Sequence, residues 1–101
     1  MIHARFFNSD SETGFELTGH SDPDGEGEDI LCAAVSSAAY LTANTVTEVL
    51  QAEGSVKAEN GYMRLAATSS VEQARLLTDG LKLHLEQLSA QYPDRISVEA
   101  D

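Results

Sequence analysis

The sequence predicts an α+β fold: two helices packed on one face of a mostly antiparallel five-stranded sheet, in the order β-β-α-β-β-α-β. Three observations lead there. Short runs of alternating apolar and polar residues lie near both ends of the chain. Asn60-Gly61 sits between two further strand-like runs. Two stretches with apolar residues at helical spacing separate the strand pairs.

Each element has its own signal. Ile2 to Phe7 sets Ile2, Ala4 and Phe6 against His3, Arg5 and Phe7, a period of two residues. Asn8 to Gly14 is polar and turn-rich, and Phe15-Glu16-Leu17-Thr18 then alternates again up to Gly19. The two runs should pair as a hairpin. Ser21 to Asp29 holds two glycines, a proline and five acids, a solvated loop. Asp29 suits the cap of a helix beginning at Ile30 and running to about Gln51, with Gly54 as its stop. Its apolar residues are Leu31, Ala34, Val35, Ala38, Leu41, Val46, Val49 and Leu50. Asn60-Gly61 then closes a hairpin, because both residues accept positive φ. Ser70 with Gln73 reads as a capping box. The helix that follows carries the stripe Ala74, Leu77, Leu81, Leu85 and Leu88, read as core. Tyr92-Pro93-Asp94 breaks it, and Arg95 to Glu99 forms a last strand with Ile96 and Val98 facing inward.

The chain of 101 residues suits one domain spanning residues 1–101. Net charge is −11, and ten acids but no Lys or Arg lie between Arg5 and Lys57. Phosphate binding needs a basic face, so a nucleic-acid partner is not expected; a basic peptide would be attracted, although on charge alone the acidity fits ordinary solubility better. The N-terminus lacks a secretory core and no apolar run suggests a membrane span, so no membrane contact and a cytoplasmic location are expected. The single cysteine, Cys32, excludes an internal disulfide and argues against a thiolate zinc site.

Cys32 is also where the chemistry concentrates. It falls in the first turn of the expected first helix, and His20 stands where the second strand ends. The rim shared by a strand end and the next helix start lets two such side chains meet. A thiol is a nucleophile only as thiolate. The N–H groups and dipole of a helix N-terminus favour an anion there, and an imidazole can take the thiol proton and later return one to a leaving amine. Glu28 and Asp29 place negative charge near the same helix start, which a protonated His20 would have to offset. On residue type alone, a cysteine in an alanine-rich helix also fits inert packing, and a single histidine also fits a structural role.

Gly19-His20, a short loop, and Asp29-Ile30-Leu31-Cys32-Ala33-Ala34-Val35-Ser36 together closely resemble the signature of the ribosomal-processing cysteine proteases. The element order resembles that family along the whole chain. The resemblance implies a Cys–His endopeptidase without a cofactor, acting as a homodimer. It implies as partner the short N-terminal extension of the large-subunit ribosomal protein numbered twenty-seven, cut after a phenylalanine ahead of a basic segment. Carried onto this chain, Cys32 is the nucleophile and His20 the general base. Asp29 and Ser36 occupy the motif's other polar positions. Asp29 equally suits a helix cap, and Ser36 either a supporting role or a hydrogen bond to the carbonyl four residues back. Ser21 departs from the small residue, often Ala, that follows the family's histidine. Gly19, Gly25 and Gly27 are hinge candidates in a loop that orders around substrate. Its acids would steer a basic target. Tyr40, Tyr62 and Met63 are candidates for the pocket that takes the phenylalanine.

Two other readings compete. Asp22, Asp24, Glu26 and His20 loosely suggest a calcium loop, but counting from Asp22 puts Gly25 fourth and Ala33 twelfth. A calcium-binding helix-loop-helix needs glycine sixth and glutamate twelfth, so no metal is expected. The other rival is a non-catalytic dimeric module that binds a basic ribosomal protein without cutting it. His3 and His84 are assigned no role.

Overall fold

The computed structural model describes residues 1–19 and 30–101. In chain order the elements are β1 (Ile2–Asn8), β2 (Thr13–Thr18), α1 (Ile30–Asn44), β3 (Gly54–Glu59), β4 (Tyr62–Ala67), α2 (Val71–Gln91) and β5 (Ile96–Ala100). The sheet order is β3-β4-β2-β1-β5. Every neighbouring pair is antiparallel except β1 with β5. The expected order and the mostly antiparallel sheet are therefore both present.

The period of two in β1 decides which face is buried. Ile2, Ala4 and Phe6 are buried, and with Phe15, Leu17, Met63, Leu65 and Ile96 they join the inner stripes of α1 and α2 in one core. The opposite face carries the cross-strand row Lys57, Arg64, Glu16, Arg5 and Glu99. Such a row belongs in water, so both helices pack on the other side. Phe15, on central strand β2, is fully buried, and its ring centroid is 6.0 Å from that of Phe6. Among the described residues two hydroxyls enter the core, and each has a partner: Thr13 bonds Asn8, and Thr78 donates to the Arg75 carbonyl at 3.1 Å.

Several boundaries differ from the sequence reading. β2 starts at Thr13 rather than Phe15. A Cβ on Gly14 would stand 2.8 Å from the Phe7 ring and 1.8 Å from the Leu65 carbonyl oxygen, so glycine here leaves room for neighbours rather than making a turn. After Asn44 the first helix widens into a π turn, Thr45–Val49, with Leu50 N–H bonded to the Thr45 carbonyl at 2.8 Å. Gln51, left-handed at φ 59°, ends it, while Gly54 is the first residue of β3. The buried stripe of this helical stretch is Leu31, Val35, Ala39, Ala43 and Val46. Leu41 and Val49 point outward.

The stretch Ile30–Val49 is, contrary to the sequence reading, long and apolar enough to cross a membrane, with mean hydropathy 1.3. Its inner stripe is nevertheless spent on the core. The capping box at Ser70 does not form: Ser70 is left-handed and its side chain caps nothing. Ser69 instead accepts the Glu53 N–H at 2.7 Å, tying the start of α2 to the chain before β3. The Asn60-Gly61 hairpin is present, but only Gly61 has positive φ, at 75°. That is the sign pattern of a type II turn.

Candidate active site

Cys32 is the third residue of α1 and half-buried. Ser36 and Tyr40 follow at intervals of one helical turn, so the three share a face. That face forms one wall of a cavity of about 170 Å³. The floor is the end of the sheet, Ile2, Leu17 and Met63, and the far wall is the β3–β4 turn with Glu59, Asn60, Gly61 and Tyr62. Small residues on the helix and an apolar floor leave a slot wide enough for a side chain beside a thiol.

Gly19 also lines the slot. Thr18 pairs with Tyr62 in the sheet, which brings the end of β2 beside the turn, and Gly19 N–H donates to the Gly61 carbonyl at 2.9 Å. Gly19 has φ 91°, and a Cβ there would lie 2.3 Å from the Met1 carbonyl oxygen. The chain therefore leaves the sheet at this point by a path open only to glycine.

Of the predicted site residues, the structure gathers Cys32, Ser36 and Gly19 around one cavity. His20, Gly25, Gly27 and Asp29 lie outside the described residues. Tyr40, Tyr62 and Met63, the candidates for an aromatic pocket, all line the same slot. The Tyr62 hydroxyl donates to Glu16 at 3.0 Å. That bond, with lesser help from partial desolvation, raises its pKa above the ordinary phenol value, so the ring remains a neutral wall.

The sequence marks Asn60 and Gly61 only as a turn. Nothing in their identity marks them as a site wall. The signal is the placement of β4 beside β2, a long-range pairing that local pattern does not carry. A second groove, about 440 Å³ between α1 and α2, is lined by Leu41, Thr42, Leu77 and His84 among others and holds no thiol.

This arrangement suits acyl transfer. A thiol stands in the first turn of a helix, where N–H groups point away from the helix end and stabilise developing negative charge. A half-open, mostly apolar pocket beside it can hold the side chain next to the reacting carbonyl.

Comparison with known proteins gives the same direction. Residues 1–97 match the profile of the family described as cysteine protease Prp. The ribosomal processing cysteine protease Prp of Bacillus subtilis is 28% identical over 91 residues, covering 83% of this chain and 81% of that protein. The Prp of S. aureus, solved with a covalently linked product peptide, superposes with a TM-score of 0.86 at 19% identity, over 100% of both chains. SMU.848 of Streptococcus mutans gives 0.79 at 26% identity, over 99% of this chain and 93% of its own.

Proposed function

The chain belongs to the cysteine protease Prp family, and we propose that it removes the N-terminal extension of the large-subunit ribosomal protein numbered twenty-seven, with Cys32 as nucleophile and His20 as base. The observation that carries this reading is Cys32 in the first turn of α1, lining a side-chain-sized slot that Gly19, the residue before His20, also lines.

The steps follow from these groups. His20 takes the Cys32 thiol proton, and the thiolate attacks the scissile carbonyl carbon. The oxyanion forms at the N-terminus of α1. The intermediate collapses, His20 protonates the departing amine, and a thioester remains on Cys32. Water, deprotonated by His20, hydrolyses the thioester and restores the thiol. Tyr40, Tyr62 and Met63 receive the phenylalanine side chain before the cut, and Ser36 stands one turn from Cys32 to support substrate backbone. The acids among residues 21–29 steer the basic segment after the cut. The protein works in the cytoplasm as a homodimer, without metal, nucleic acid or membrane. The outward side of the first helical stretch supports a partner copy: Ile30, Leu41 and Val49 are 76%, 69% and 78% exposed.

The direct test is a peptide spanning the extension, mixed with the protein and quenched in acid. Intact-mass measurement should find the N-terminal fragment joined to Cys32 as a thioester. Cleavage without such an adduct, and undiminished in His20→Ala, would discard both assignments.

The path forced by Gly19 gives a separate expectation. Gly19→Ala adds a Cβ at φ 91° and against the Met1 carbonyl oxygen. Strain of this kind costs about 1–3 kcal/mol, and its relief must move the chain that leads to His20. Urea unfolding should show the loss, and kcat/KM should fall roughly tenfold or more, because displacements near 1 Å cost about that much or more in rate. Unchanged kinetics would mean that Gly19 does not position His20.

A further inference from the structure

β3 is the edge strand of the sheet on the side of the slot, and all six of its residues are exposed. Its hydrogen-bond phase is fixed by its neighbour. Thr68 N–H donates to the Glu53 carbonyl at 2.7 Å, so Glu53 and Thr68 form a hydrogen-bonded pair. Counting along the antiparallel register, Ser55, Lys57 and Glu59 turn their backbone groups toward β4. Gly54, Val56 and Ala58 therefore turn their N–H and C=O groups outward from the edge. The strand runs directly into the slot, because its last residue, Glu59, and the following Asn60 line the cavity that contains Cys32.

We infer that β3 is a template for the substrate: an extended segment of the peptide on one side of the scissile bond pairs with the outward groups of Val56 and Ala58 as a sixth strand. This rests on the proposed protease reading and says how that site holds its chain. A peptide must be extended to present one carbonyl to a nucleophile, and an extended peptide needs partners for its own backbone groups. β5, the other edge, lies across β1 and β2 from the β3–β4 turn, and none of its residues is among the described residues lining the slot. The side chains also fit. Val56 and Ala58 lie on the helix side of the sheet, in register with buried Leu65 and Met63, yet Val56 is 45% exposed. They form an apolar ledge continuous with Met63 in the slot floor. Lys57 and Glu59, on the other face, pair with each other at 3.7 Å and leave the edge clear.

Strand addition predicts an alternating backbone requirement. A cleavable peptide is N-methylated at one amide at a time, and kcat/KM is measured with the wild-type chain. Methylation at every second position along one arm should lower it roughly tenfold, with the positions between changed less than about threefold, since a single hydrogen bond is worth about that much. Ala58→Pro removes one outward N–H while leaving the bonds to β4 intact, a substitution that edge strands accept at such positions. It should raise KM about fivefold with kcat within twofold. A patternless methylation scan overturns the proposal whether or not the proline variant folds. So does a proline variant that folds with unchanged KM, or one that turns a dimer into a monomer by sedimentation, which would assign the edge to a second copy. A wild-type chain that cuts no peptide removes the protease reading, and strand addition with it.

Discussion

Cys32→Ala is expected to lower kcat/KM for the extension peptide by at least roughly 10⁴-fold while leaving the fold and peptide binding in place. The size comes from the chemistry. Without the sulfur, no thioester forms, and the residual rate is what the helix N-terminus and binding alone supply; removing the nucleophile of a comparable catalytic group costs about 10⁴–10⁶. The fold should tolerate the change, because Ala is the better helix former and Cys32 is only half-buried at the edge of the core. Three measurements separate the outcomes. Steady-state cleavage should vanish, the thermal midpoint should stay within a few degrees, and a fluorescent peptide should bind the variant as well as the wild type. Loss of binding along with cleavage would make Cys32 a packing residue of the slot. Retained cleavage would move the nucleophile elsewhere. Ser36→Ala, one turn away, should cost far less, since a supporting hydrogen bond is worth about 0.5–1.5 kcal/mol.

Local pattern carried most of the fold because the two-residue and helical periods here are bound to burial. Ile2, Ala4 and Phe6 alternate in sequence and are buried together, and Ala74, Leu81 and Leu85 recur at helical spacing and meet in the core. It failed where backbone conformation answers to distant contacts. Ser70 with Gln73 has the composition of a capping box, yet the tie between Ser69 and Glu53 sets how α2 begins. Gly54 looks like a helix stop, but its Cβ would strike the Ala66 carbonyl oxygen at 1.9 Å, so its glycine serves the β3–β4 pairing. Composition names Leu41 and Val49 among the helix's apolar residues but does not say which way they face, and both are exposed. At the candidate site, Cys32 and Ser36, which the motif singles out, line one cavity. The wall made by Asn60 and Gly61 was not, since it exists only because β4 lies beside β2.

The same long-range pairing makes Phe15→Ala the most damaging substitution expected in the core. Phe15 sits on the central strand, between Phe6 on β1 and Leu65 on β4, with no exposed surface. Truncating a buried phenylalanine costs about 3–5 kcal/mol, part lost transfer energy and part cavity. A domain of this size has about 5–15 kcal/mol in all. Each kcal/mol moves the midpoint by about 4–8 °C, so a fall of about 15 °C or more is expected, with an unchanged urea m-value if the unfolded chain is unaltered. A fall under about 5 °C would mean that neighbouring side chains close the hole. The variant also tests how the slot depends on the core. Leu17, two residues along β2 on the same face, is part of the slot floor. A cavity under it should loosen the floor, and KM for the peptide should rise even at temperatures where the variant is still fully folded. If stability falls as expected but KM does not move, the slot is held by the Gly19–Gly61 bond and the first turns of α1 rather than by the packing beneath it.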